Sequence, residues 1–220
     1  MKILIVAATK FEINPLLEQM EINTFAGNSR IIKCTYKELE VDYLITGVGM
    51  VTTAYYTGKI LDDTYDMALN IGICGTFNAN LEIGSVVNVY EDRFAEMGAE
   101  DGNNFLTLEE LKLEAITTVT NIEQGEISHV MELLPKVNGI TVNKVHGNAK
   151  SIKNTFERFH PIVESMEGAA FMFVCEKEKI PYLQIRAISN VVEKRNREAW
   201  NIPLAIENLN KKIIEFLDHI

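Results

Sequence analysis

The chain has 220 residues, 47% hydrophobic and 24% charged, with a formal net charge of −10. That length favours one domain over residues 1–220 with a full hydrophobic core, and the mix excludes disordered and fibrous classes. The acidic balance argues against nucleic acid and anionic membranes as partners, because phosphate-rich surfaces are bound through clustered Lys and Arg.

Lys2 to Ala8 is a continuous apolar run of strand length, followed by Phe11, Leu16, Leu17 and Met20 at helical spacing. It reads as a buried strand rather than a signal peptide, and no apolar run approaches the ~20 residues of a membrane span. Glu12 falls in the first turn of the following helix, where the helix dipole favours a carboxylate whatever its role. The three cysteines, Cys34, Cys74 and Cys175, are odd in number and far apart, which disfavours a disulfide framework and makes the cytoplasm the expected compartment. The four histidines show no i, i+4 pairing, and no metal or other cofactor is expected.

Arg30 to Tyr36 and Glu40 to Ile45 read as two strands, the second ending in TGVGM, a lone GxG that is more often a turn than a nucleotide site. A helix is expected over Met50 to Leu61 and a strand over Met67 to Ile71. That strand runs into GICGTF, where Gly72 and Gly75 bracket Ile73 and Cys74 and backbone amides can line a pocket. Gly84 to Tyr90 reads as a strand, and EDRFAEMGAEDGNNF after it as a long polar loop, either a substrate lid or a surface excursion. Between Leu108 and Pro135 the periodicity is too weak to place elements.

Ile140 to Val145 reads as a strand, HGNAKS as a turn and Ile152 to Phe159 as a helix. The stretch VESMEGAAFMFVCEKEKIPYLQIRAISNVVEKRNR then gives a helix opening near Glu167, a strand over Pro181 to Ser189 and a polar loop carrying Asn190. Side by side, as in a βα repeat, that helix start and strand end place Glu167 and Asn190 on one crevice. Pro203 opens a final amphipathic helix. The alternation predicts a three-layer α/β/α domain around a mixed, largely parallel sheet.

VESMEGAA followed by IRAISN, with an N-terminal strand leading to Glu12 and the glycine stretches TGVGM and NIGICG, resembles the purine nucleoside phosphorylase and 5′-methylthioadenosine nucleosidase superfamily. Within it, DRFAEMGAEDGNNFLTLEEL, TVNKVHGNAKSI and ISNVVEKRNREAWNIPLAI are most similar to the futalosine hydrolases of the alternative menaquinone pathway. The resemblance implies N-glycoside cleavage without a cofactor. Glu167 would take the ribose hydroxyls, Met166 would pack beside the sugar and Glu12 would activate the attacking water. Gly75 and Ile73 fall in the pocket wall, and a homo-oligomer acting on a small nucleoside is implied.

Asn190 departs from the adenosine-cleaving members, which carry aspartate there. A carboxamide cannot act as an acid, but it can accept from N7–H and donate to O6 of a 6-oxopurine, leaving an exocyclic amine unpaired. Phosphorylases of the superfamily place an arginine beside the glycine stretches; here the matching segment holds Ile73, and only Lys10 lies near the N-terminal turn, so water is the expected nucleophile. Arg195, Arg197 and Arg93 are candidates for a substrate carboxylate, with Phe94 or Trp200 as a ring contact. Lys150 stands where relatives stack an aromatic on the base, which leaves the stacking partner open. The alternatives are a methylthioadenosine/S-adenosylhomocysteine or aminofutalosine nucleosidase, a purine nucleoside phosphorylase, and a nucleoside-binding module without turnover.

Overall fold

A computed structural model describes residues 1–25, 30–102, 104–121 and 133–220. Strand β1 (Lys2–Ala7) is buried along Ile3 to Ala7, as a run with no polar alternation must be, and sits between two parallel partners, β4 (Leu39–Ile45) and β5 (Met67–Thr76). On the far side of β4, β3 (Ile31–Tyr36) and β2 (Glu21–Phe25) complete an antiparallel flank. On the other side, β5 pairs in parallel with β12 (Tyr182–Val191), and β12 pairs antiparallel with β6 (Val86–Phe94). Next come β10 (Lys136–Thr141), parallel to β6, and the short β11 (Val163–Ser165), parallel to β10. Because β11 also pairs antiparallel with β5, the strands β5, β12, β6, β10 and β11 close into a ring. The mixed, largely parallel sheet is therefore present, with one half curled shut.

Helices cover both faces. On one, α1 (Lys10–Leu17) and α5 (Ile202–Leu217) bury Ile13, Leu16, Leu209, Ile213 and Phe216 against Ile3, Ile5, Leu69 and Leu183. On the other, α2 (Met50–Ile60) packs on α4 (Gly168–Glu178), whose Phe171, Met172 and Cys175 meet Leu4, Val6 and Ala68. Helix α3 (Ala149–Phe159) lies at the curled end; Asn148 caps it by accepting from the Lys150 and Ser151 amides at 2.9 and 3.3 Å.

Several elements extend past their expected ends. β5 continues through the GICGT segment, so Gly72 and Gly75 lie inside a strand rather than in a turn. β12 continues to Val191, which puts Asn190 on the strand and not in the loop beyond it. The stretch expected to be a long loop holds the end of β6 and a hairpin of β7 (Gly98–Asp101) and β8 (Asn104–Thr107). Within the segment left without elements, β9 (Thr118–Thr120) pairs with β6, and residues 122–132 lie outside the described residues. β2 was not expected. In each case strand pairing decided the outcome where local pattern was weak.

Candidate active site

The C-terminal ends of β1, β5 and β12 and the starts of α1 and α4 surround a cavity of about 420 Å³, lined among others by Glu12, Glu167 and Asn190. Ligands of open α/β sheets bind at such strand ends, where loops and helix N-termini supply free polar groups.

Glu12 is the third residue of α1. The strand-to-helix turn brings its Oε2 back to Thr9, whose amide and hydroxyl donate to it at 2.8 and 2.9 Å. Its Oε1 accepts from the Ile73 amide at 3.4 Å. The helix itself is clamped by Asn210 of α5, which donates to the Glu12 carbonyl at 2.9 Å and accepts from the Leu16 amide at 3.2 Å. Behind the carboxylate lies Arg186, 1% exposed, on the β12 rung that pairs with Gly72. Arg186 donates to the Asn70 carboxamide, and a side chain at Gly72 would run into its guanidinium and come within 2.8 Å of Glu12 Oε1. Burial raises the Glu12 pKa above its ordinary value of 4.5; the Thr9 hydrogen bonds and the charge of Arg186 oppose the rise, and the charge of Glu167 adds to it. A buried carboxylate with an upshifted pKa is suited to accept a proton.

Glu167 is the residue before α4, 7% exposed, and its Oε1 accepts from the Gly49 amide at 2.9 Å. Gly49 has φ of +102°, a conformation that favours glycine, and it aims that amide at the carboxylate. Its Oε2 accepts from the Met166 amide at 3.3 Å, and Met166 lines the cavity. Helix α4 can start this close to the sheet because Gly168 has no side chain; a Cβ there would overlap Gln184 and Asp92. Asp92, buried and bonded to Thr141 and Gln184, has its pKa raised to about 7, chiefly by burial.

At the opposite end, Asn190 follows a β-bulge: Ile188 pairs with Cys74 and Asn190 with Gly75, which leaves Ser189 as the extra residue. The Ser189 hydroxyl lies 2.8 Å from Asn190 Oδ1, and Asn190 Nδ2 donates to the Val191 carbonyl at 2.9 Å. One N–H and one oxygen lone pair of the carboxamide remain for a ligand. Glu164 of β11, 3% exposed, pairs with Gly75 from its other side and also lines the cavity. His146 meets it through the backbone amide at 3.0 Å and through Nδ1 at 2.6 Å, and His146 Nε2 lies 2.9 Å from the Thr155 hydroxyl.

Of the residues singled out in the sequence, the fold brings Glu12, Ile73, Gly75, Met166, Glu167, Asn190, Arg195 and Trp200 to the cavity. Arg195 stands over the Trp200 ring, 5.0 Å from its centroid. Phe94 instead packs beside the core under α4, and Arg197 belongs to a short 3-10 turn outside the lining. Arg93 lies over the Phe159 ring, and Lys150 lines a separate groove beside the β7–β8 hairpin. Arg186, Glu164 and His146 were not among the candidate site residues, and Phe11, expected on the apolar helix face, is 59% exposed and lines the cavity. An arginine inside the apolar run YLQIRAIS was a signal for the first, since a guanidinium is rarely buried without a partner. No arginine stands beside the glycine stretch along the chain, but one does in space. Arg186 reaches Gly72 from the neighbouring strand, but it is buried behind Glu12 rather than open to the cavity.

The model of the phosphorylase superfamily matches residues 2–128, more than half of the chain. A futalosine hydrolase from Streptomyces coelicolor is 31% identical over 183 residues, covering 78% of this chain and 76% of that protein. A 5′-methylthioadenosine/S-adenosylhomocysteine nucleosidase from Glaesserella parasuis is 26% identical, over all of this chain and 99% of its own. The solved structure of futalosine hydrolase from Helicobacter pylori superposes with a TM-score of 0.85 at 18% identity, covering 100% of this chain and 98% of that one, a likeness of fold. With sheet order, cavity position and sequence match in agreement, the chain belongs to the phosphorylase superfamily.

Proposed function

We propose that the protein hydrolyses the N-glycosidic bond of a 6-oxopurine nucleoside, and that futalosine is its substrate, giving hypoxanthine and dehypoxanthine futalosine. The observation that carries this is the convergence of three buried carboxylates, Glu12, Glu167 and Glu164, and the Asn190 carboxamide on a single cavity. Glycoside cleavage passes through an oxocarbenium-like transition state, so fixed anionic groups around the sugar bind it more tightly as positive charge develops.

Glu167 accepts from the ribose hydroxyls while the Gly49 amide holds its other edge. Glu12, oriented by Thr9, takes a proton from the attacking water as the water oxygen bonds to the anomeric carbon. The bond to N9 breaks, solvent protonates the base, and Asn190 accepts from N7–H and donates to O6. The neutral carboxamide supports the 6-oxopurine over adenine, whose exocyclic amine would set a donor against the Asn190 amide N–H. Arg195, held by Trp200 at the cavity, supplies a cation for the carboxylate of the substrate's aryl ketone arm. Water as nucleophile is supported by the lining itself: among its described residues Arg195 is the only Lys or Arg, too few for a phosphate cradle.

A homo-oligomer fits the surface beside the cavity, where Val48, Val51 and Tyr55 are 57%, 76% and 60% exposed at the start of α2. No described helix is long and apolar enough to cross a membrane. A cytoplasmic location fits the three free, buried cysteines. The deciding experiment follows base release from futalosine, aminofutalosine, inosine and methylthioadenosine, each with and without phosphate. Phosphate-independent hypoxanthine from futalosine is expected. Adenine as the main product would make the protein an adenosine-type nucleosidase, the activity named for the Glaesserella relative, and turnover only with phosphate would make it a phosphorylase.

A further inference from the structure

Gly75 is flanked on one rung by two polar residues from different strands, Asn190 of β12 and Glu164 of β11. A Cβ built on Gly75 would meet Val192 Cγ2 at 2.9 Å, Asn190 Nδ2 at 3.3 Å and Glu164 Cγ at 3.7 Å, so both polar side chains lean over the glycine, with Val192 beside them. Neighbouring strands are about 4.8 Å apart, which places the two backbones roughly 10 Å from each other on either side of a β5 position that has no side chain of its own. Gly75, Glu164 and Asn190 all line the cavity, so the edge of a planar base bound there would face both polar side chains together.

A carboxylate 3% exposed at this position is costly unless something is gained, since burying a charge requires compensating hydrogen bonds. His146 provides two of them, through its amide and Nδ1, and Thr155 fixes the far nitrogen of the ring. Each carboxylate oxygen accepts two hydrogen bonds, so one acceptor site on each remains after His146 is counted. His146 and Thr155 thus hold Glu164 as a fixed acceptor in the cavity wall beside Asn190.

We infer that Glu164 is a specificity-determining residue that accepts the N1–H of a 6-oxopurine, with His146 as its positioning residue. The assignment rests on the 6-oxopurine function proposed above. If Asn190 takes N7–H and O6, the next group around the ring is N1, and in a 6-oxopurine that nitrogen carries a hydrogen. In adenine the same nitrogen is a bare acceptor, which a carboxylate repels. Asn190 and Glu164 together then read three consecutive positions, and each penalises the amino base independently.

The test measures binding of hypoxanthine, 1-methylhypoxanthine and adenine by calorimetry to wild type and to Glu164→Gln. Wild type is expected to prefer hypoxanthine to both others. The variant should lose about 10- to 100-fold in hypoxanthine affinity, the worth of one hydrogen bond to a charged group, without a matching loss for adenine, because an amide can donate to its N1. Equal losses for both bases, or an unchanged preference, would overturn the assignment of Glu164 while leaving the proposed function standing. Should the variant fail to fold, wild type alone decides. Binding of 1-methylhypoxanthine within about twofold of hypoxanthine would mean that no acceptor reads N1–H, since a lost bond of this kind costs at least tenfold. Wild type that prefers adenine would overturn both the assignment and the function on which it rests.

Discussion

The two ends of the cavity are built on the same strand by the same device and behave differently. At the end proposed to hold the attacking water, the water end, Gly72 makes room for Glu12 and Arg186; at the end proposed to hold the base, the base end, Gly75 makes room for Asn190 and Glu164. The water end opposes charges: a carboxylate with a raised pKa stands in front of a buried guanidinium whose Nε has no hydrogen-bond partner among the described residues. The base end is a closed chain of hydrogen bonds, from Thr155 through His146 to Glu164 on one side and from Ser189 to Asn190 on the other. A group that must change protonation during turnover gains from conflicting influences, whereas groups that only recognise gain from being fixed.

The sharpest break in that contrast is Glu12→Gln. It should lower kcat by roughly 10² to 10⁴ with little change in KM, because proton acceptance is lost while the sugar and base contacts remain. Steady-state kinetics on futalosine checks it; a change confined to KM would place Glu12 in binding rather than chemistry.

The two glycines separate the ends by stability and affinity. Gly72→Ala forces a methyl onto the Arg186 guanidinium and to within 2.8 Å of Glu12 Oε1, where the neighbours are buried and charged. Overpacking of that kind costs about 1–3 kcal/mol, readable by denaturant melts. Gly75→Ala meets Val192 at 2.9 Å and Asn190 at 3.3 Å at the cavity wall, so its larger effect is expected on KM. Equal destabilisation by both would remove the distinction.

The pH dependence sharpens the water end. Glu12 must be ionised to take a proton, and burial holds its pKa above 4.5. The kcat/KM should therefore fall as pH drops, along a limb lying above 4.5. Thr9→Ala removes a hydrogen bond that favours the ionised form, so the limb should move to higher pH. A limb that shifts downward would contradict the assignment.

The effect farthest from the chemistry concerns Asp92 under α4. Its pKa is about 7 in the folded protein against an ordinary 3.8, so between those values the folded state holds a proton that the unfolded state releases. Its contribution to stability is complete below 3.8 and is lost as pH rises through about 7. Wild type should lose at most about 1.4 kcal/mol per pH unit from this group across that window, and Asp92→Asn should flatten the loss. Melting temperatures at pH 5 and pH 8 compare the two.

The sequence by itself determined the alternating strands and helices, the first helical turn that presents Glu12 and the helix start that presents Glu167. These depend on periodicity and on residues a few positions apart, whose geometry is local. The match of VESMEGAA and IRAISN to the superfamily motif pointed to Asn190 as well. What only the tertiary structure decided lies across strands. Glycines expected in turns sit inside β5, Arg186 reaches Gly72 from the adjacent strand, and Arg197 and Phe94 fall outside the cavity. Glu164 meets Asn190 across Gly75 only because β11 pairs with β5 and a bulge turns the end of β12. Strand register is set by distant partners and by where a sheet curls or bulges, and no window of sequence around any one of these residues contains that information.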